Sequence, residues 1–298
     1  MLHLRSPKMG KLLWTERQDI GPTARLESAM AYDAARQQVV LFGGSAAGIL
    51  SDTWVWDGQL WTQSENMGPP QRNSHALAFD SIRERVVLFG GTDPGGRFLP
   101  DTWEWDGTEW TQIADTGPSA RFGHAVTFDS KRKRVVLFGG GNQSQKFGDT
   151  WSWDGTEWTQ EQDTGPAGRI NSRLAYDVIH DRVVLFGGSE PGFLNDTWEW
   201  DGSRWRQVAD TGPVPRSGHG MVFDGIHVLL FGGANQNALL SDTWSWDGKH
   251  WTQIQDIGPG PRTFAAMAYD SNRSRTVLFG GAGQSALLGD TWELYEHS

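Results

Sequence analysis

The sequence predicts an all-β fold: a β-propeller of six four-stranded antiparallel blades, one domain over residues 1–298, whose last blade is closed by the N-terminal strand. Three observations carry this reading. One motif recurs six times, every tryptophan falls on the repeat it defines, and the two ends of the chain complete each other.

The motif is Asp-Thr-Trp, beginning at Asp52, Asp101, Asp149, Asp196, Asp242 and Asp290, with spacings of 49, 48, 47, 46 and 48 residues. A Gly-Gly pair precedes each copy, at Gly43, Gly90, Gly139, Gly187, Gly232 and Gly280. A fixed period of this length signals a repeat architecture such as a propeller. Six copies fill the chain and leave no room for a second domain.

Each repeat reads as four strands, and the third shows the pattern. The first strand runs Arg121-Phe122-Gly123-His124-Ala125-Val126-Thr127-Phe128-Asp129. The second is the apolar run Val135-Val136-Leu137-Phe138, ended by Gly139-Gly140. After a variable loop, Asp149-Thr150-Trp151-Ser152-Trp153 alternates as a half-buried strand does. Asp154-Gly155 then predicts a type I′ hairpin turn, with positive φ at both residues, before a fourth strand centred on Trp158.

All 17 Trp obey this template. Eleven lie in third strands, from Trp54 to Trp292, and six in fourth strands: Trp14, Trp61, Trp110, Trp158, Trp205 and Trp251. Residues so confined pack between sheets, each removing on the order of 200 Å² from water. The sixth repeat stops at Trp292-Glu293-Leu294-Tyr295, with no fourth strand. The missing strand stands near residues 12–16, as Leu12-Leu13-Trp14-Thr15, so pairing it with the strand ending near Tyr295 closes the ring.

Composition narrows the function classes. Without Cys there are no disulfides and no thiolate metal ligands, and a net charge of −10 argues against general nucleic-acid or anionic-membrane binding. No apolar stretch approaches the roughly 18 residues of a membrane-spanning helix. Met1 to Leu13 carries His3, Arg5, Lys8 and Lys11 without an apolar core, unlike a signal peptide. The expectation is a cytoplasmic monomer with no cofactor; a secreted form with its leader removed reads the same.

Gly-Gly after an apolar strand, paired Trp after a variable loop and a period near 48 resemble the kelch repeat over residues 12 to 295. The wording Asp-Thr-Trp-x-Trp-Asp-Gly resembles bacterial kelch proteins more than animal ones. The resemblance implies ligands on the face where fourth-to-first and second-to-third loops meet. The opposite face, built from uniform turns, reads as structural. Matched by repeat position to family members that bind ligands there, the mouth-lining residues are Glu27, Asn73, Phe122, Asn171 and Phe264 from the first set of loops. Arg97, Asn142, Glu190 and Asn235 come from the second.

Arg173 is the sharpest departure from the repeat, because its counterparts are Ala29, Ala76, Ala125, Gly220 and Ala266. Blades one and four oppose each other in a six-membered ring, placing Glu27 across the channel from Asn171 and Arg173. Phe122 and Phe264 would form an aromatic pair crossing that charged pair. The other recurring residues read as structural. His75, His124 and His219 share one repeat position, on the same strand face as a core aromatic four residues on. The arginines at 25, 72, 121, 169, 216 and 262 read as blade-to-blade bonds, and the aspartates at 33, 80, 129, 177, 224 and 270 as turn caps. Lys131-Arg132-Lys133-Arg134 reads as a solvated turn, not a nucleic-acid patch.

No phosphate loop, nucleophile elbow or His-Glu-x-x-His is present. The leading expectation is a binding propeller holding a small polar molecule, glycan or peptide at the channel mouth. A second is a cofactor-independent enzyme at the same mouth, since the family that the repeat resembles includes a bacterial sialic-acid mutarotase. It would use Glu27 or Glu190 as proton acceptor and Arg173 or Arg97 as electrostatic stabiliser. A third is a purely structural or designed repeat scaffold.

Overall fold

The computed structural model describes residues 11–17, 20–64, 67–162, 164–255 and 257–297. These hold 24 strands in six four-stranded antiparallel sheets, with no helix among them. The reading of Met1–Gly10 lies outside the described residues. In blade 3 the strands Ala125–Asp129, Arg134–Phe138, Thr150–Trp153 and Trp158–Gln162 lie side by side in chain order. The innermost strand of each blade packs on that of the next, from Ala29–Asp33 in blade 1 round to Ala266–Asp270 in blade 6.

Blade 6 is closed as the sequence requires. Lys11–Glu16 pairs antiparallel with Thr291–His297, in register from Lys11↔His297 to Glu16↔Trp292. The edge that Thr291–His297 would otherwise offer to another chain is thereby covered.

Burial explains the strand composition. The second strand of a blade is sandwiched between neighbours on both faces, so Val39, Val40, Leu41 and Phe42 are all fully buried. Such strands read as continuous apolar runs. The Trp pairs bracket each hairpin, with Trp56 opposite Trp61 and their rings 5.5 Å apart.

The Asp-Thr-Trp motif is accounted for atom by atom. Its Asp, exemplified by Asp52, accepts a bidentate pair from Arg25 at 2.6 and 2.8 Å and the indole N–H of Trp54 at 2.7 Å. Its Thr accepts the indole N–H of a fourth-strand Trp in the adjoining blade. Trp110 donates to Thr53, Trp158 to Thr102, Trp205 to Thr150, Trp251 to Thr197, Trp14 to Thr243 and Trp61 to Thr291. These six bonds run once round the ring.

Three expectations need correction. The first strand of blade 3 starts at Ala125, not Arg121, because Gly123 at φ +63° turns the chain out of extended geometry. The Asp-Gly turn is a four-residue loop, not a two-residue type I′ turn. Gly58 has φ +99°, while Asp57 keeps negative φ and its carboxylate accepts the N–H groups of Gln59 and Leu60. The side chain caps the turn itself, which removes the need for a second left-handed residue.

The third concerns the repeated arginines, which bond within their own blades. The buried Arg25 side chain reaches Asp52, the Gly43 carbonyl and the Thr23 carbonyl, all in blade 1. Only its backbone crosses to a neighbour, the N–H donating to the Leu288 carbonyl and the carbonyl accepting from Gly281, both in blade 6. Burial pushes the Asp52 carboxyl up, but the hydrogen bonds and charge of Arg25 outweigh it and hold the group below the ordinary carboxylate range.

Candidate functional site

The channel mouth is built on a left-handed residue contributed by every blade. Glu27, Ser74, Gly123, Asn171, Gly218 and Phe264 occupy one repeat position, with φ between +54° and +64°. Ser74 N–H donates to Glu27 O, Gly123 to Ser74, Asn171 to Gly123, Gly218 to Asn171, Phe264 to Gly218 and Glu27 to Phe264, at 2.7 to 3.2 Å. The result is a closed ring of six backbone hydrogen bonds across the axis. Such φ values are uncommon for non-glycine residues and rarest for bulky ones, so Phe264 carries backbone strain that the ring holds in place.

This ring was not read from the sequence, although a signal for it was present. Two glycines and an asparagine at equivalent positions, Gly123, Gly218 and Asn171, are the residues that tolerate the left-handed region best.

Beneath the ring lies a space of about 20 Å³ that brings together Glu27, Asn171, Arg173 and Phe264 with Ser74 and His124. Ser28, His75, His124 and Arg173 also line a chamber of about 90 Å³ at the level of Arg173 and its small counterparts Ala29, Ala76, Ala125, Gly220 and Ala266. Glu27 and Arg173 face the same cavity but form no ion pair within 4.0 Å. Burial raises the Glu27 carboxyl above its usual value, with a Ser74 hydrogen bond and the Arg173 charge pulling the other way. Burial lowers the Arg173 guanidinium to about 10 against the attraction of Glu27.

The remaining candidates sit elsewhere on the same face. Phe122 precedes the ring by one residue and stacks on Phe98, with ring centroids 5.3 Å apart and planes 18° apart. It therefore does not cross the channel against Phe264, whose side chain lines the inner space. Asn73 bridges to Thr92, and Arg97, with 78% of its side chain exposed, meets Asp93 at 3.1 Å. Asn142 and Asn235 turn their carbonyl oxygens onto their own loops, accepting from Ser144 and Gln145, and from Asn237 and Ala238. Glu190 pairs with Lys146 at 3.2 Å, away from the cavity that holds Glu27 and Arg173.

The repeated histidines are buried and face edge-on to a phenylalanine of the preceding blade: His75 to Phe42, His124 to Phe89, His219 to Phe186. They precede the inner strand, so the shared-face argument from strand alternation does not apply to them. Burial drives His75 down to about 3 and keeps all three neutral. Among the described residues, no group of three His, Cys, Asp or Glu is arranged to hold a metal ion. The basic run is largely ion-paired, with Lys131 and Arg132 on Asp181 and Arg134 on Glu161.

The opposite face holds more than turns. A funnel of about 380 Å³ opens there on the axis, walled by Tyr32, Phe79, Phe128, Tyr176, Phe223 and Tyr269. Met30, Leu77, Val126, Leu174, Met221 and Met267 separate it from the Arg173 chamber. Phe79, Phe128 and Phe223, which lie four residues after the repeated histidines and read from the sequence as core aromatics, are half-buried and line this funnel.

A family model described as the KLHDC2/KLHL20/DRC7 Kelch-repeats domain matches residues 34–201 and again 156–296. The chain belongs to the kelch-repeat family. No curated protein matches this kelch propeller. Family membership supports a general binding or scaffold role. Among the described residues, no helix is long and apolar enough to cross a membrane.

Proposed function

We propose that this kelch propeller is a binding module that recognises a peptide segment of a partner protein on its loop face. The observation that carries this reading is the closed ring of backbone hydrogen bonds from Glu27 to Phe264. With the channel narrowed by this ring to a space of about 20 Å³, a ligand on this face lies across the loops and not inside the axis. The stacked Phe98–Phe122 pair beside the exposed Arg97 offers the aromatic and arginine anchors that dominate protein interfaces. Asn73 and the capped loop at Asn142 stand on the same two blades as that patch, and Glu190 and Asn235 on the loop face of blades 4 and 5.

The enzyme reading has less support. Its proton acceptor Glu27 and stabiliser Arg173 share a space of about 20 Å³, far below the several hundred Å³ typical of substrate pockets. Peptide display against the wild type and a Phe98→Ala/Phe122→Ala double variant tests the proposal. Peptides selected by the wild type should lose at least tenfold in affinity with the variant and be unaffected by Ile179→Ala on the opposite face. Retained affinity in the double variant removes the proposed anchor.

A further inference from the structure

At one level of the propeller axis, five blades contribute Ala29, Ala76, Ala125, Gly220 and Ala266, and blade 4 contributes Arg173. The small side chains leave the chamber of about 90 Å³, and the guanidinium reaches into it. A single water needs only about 10–15 Å³ of such space, so the chamber takes a few atoms of that size and excludes a sugar.

Arg173 makes one hydrogen bond among the described residues, from Nη1 to the carbonyl of Ser172 at 3.1 Å. It differs in this from Arg25 and its five equivalents, each of which has a bidentate aspartate. No described carboxylate lies within 4.0 Å of it. Arg173 is half-buried, and a cation shielded from water without a counter-charge is costly. Glu27 faces the same space but makes no ion pair with Arg173, so its carboxylate attracts the guanidinium without engaging it. The histidines beside the chamber, His75 and His124, are held neutral. What the chamber presents to a guest is therefore one guanidinium edge in a narrow space partly screened from bulk water, where an anion is attracted more strongly than in water.

We propose that this chamber is an anion site, in which a small inorganic anion of chloride or nitrate size sits against the Arg173 guanidinium. The Glu27–Phe264 ring narrows the channel above it, and the collar that includes Met30, Met221 and Met267 bounds it below. The flexible thioether side chains give the anion a route from the funnel, because they can shift rotamer where branched residues cannot. The anion acts as a structural counter-ion for the six inner strands. This site does not depend on the loop-face reading and stands or falls separately.

Two measurements decide it. In crystals grown in bromide, an anomalous peak should lie within hydrogen-bond range of the Arg173 guanidinium. In solution at constant ionic strength, replacing gluconate, which is too large for the chamber, by chloride should raise the wild-type melting temperature. The rise is roughly 4 °C at 100 times the dissociation constant. Arg173→Met should abolish the chloride response, and Glu27→Gln, which removes the competing carboxylate, should tighten binding several-fold. Should Arg173→Met fail to fold, Ala76→Leu fills the chamber while keeping the arginine and should also abolish the response. The proposal is overturned by a bromide map with no peak there, or with the Glu27 carboxylate turned onto Arg173. It is equally overturned by a chloride response that survives in the variants.

Discussion

The indole N–H of Trp14 donates to the hydroxyl of Thr243 at 3.0 Å, joining residues 229 positions apart. Five other Trp–Thr bonds of the same kind link neighbouring blades, but this one depends on the first described strand of the chain. A ring held by equivalent contacts should have no weaker joint at its seam. Trp14→Phe and Trp110→Phe, which remove the bonds to Thr243 and Thr53, should therefore cost the same, about 1–2 kcal/mol each in urea unfolding. A neutral Trp14→Phe beside a costly Trp110→Phe would mean that the seam is open in solution.

Periodicity revealed the blades and the seam because propeller blades bury both faces of every middle strand, which fixes residue types at every turn of the repeat. The site was less legible, for a reason visible in Phe122 and Phe264. They differ by one repeat position, and a left-handed residue at 264 sends one ring into the axis while the other stacks on Phe98. Spacing alone does not report such φ reversals. The arginine–aspartate pairs were hidden similarly: Arg25 and Asp52 lie 27 residues apart, and only the folded blade brings them together.

The Gly-Gly pairs make a sharp contrast with loop glycines. Gly43 has φ +57°, and a Cβ there would stand 2.7 Å from the carbonyl oxygen of Arg72 in the next blade. That atom is backbone and accepts the N–H of Gly44, so it cannot retreat. Gly43→Ala should destabilise by more than about 2 kcal/mol, combining a left-handed penalty of roughly 1–2 kcal/mol with the clash. Gly48, with open space around it and no positive φ, should accept Ala within about 0.5 kcal/mol. Equal tolerance at both sites in chemical denaturation would contradict the tight blade contact.

Val55 marks a place where one blade lacks what another has. Trp153 donates its indole N–H to Glu104 of the preceding blade at 3.3 Å, whereas Trp105 faces Val55 at the equivalent position and its buried N–H has no partner. An unsatisfied buried donor costs roughly 1–3 kcal/mol. Val55→Gln should supply the acceptor and stabilise the chain by about 1 kcal/mol, after loss of the valine packing. Val55→Leu, which offers no acceptor, should give no gain. If the two variants unfold at the same urea concentration, the Trp105 N–H is satisfied in some other way.

The six aspartates of the Asp-Thr-Trp motif set the response to acid. In each, burial raises the carboxyl, but the hydrogen bonds and charge of the partner arginine win and leave it below its ordinary value. A carboxylate whose folded pKa is depressed contributes stability that is full above the unfolded value of about 3.9 and is lost as pH falls through the folded one. Six such groups lose it over the same range, so unfolding should be steeply cooperative in proton uptake below about pH 4. Asp101→Asn strands the buried Arg72 and should cost roughly 3 kcal/mol at pH 7. Because the variant has one fewer titrating pair, that difference should shrink as pH falls below 4. A difference that stays constant from pH 7 to pH 2.5 would mean that Asp101 acts through shape and hydrogen bonding alone, and that its charge contributes nothing to closing the blade.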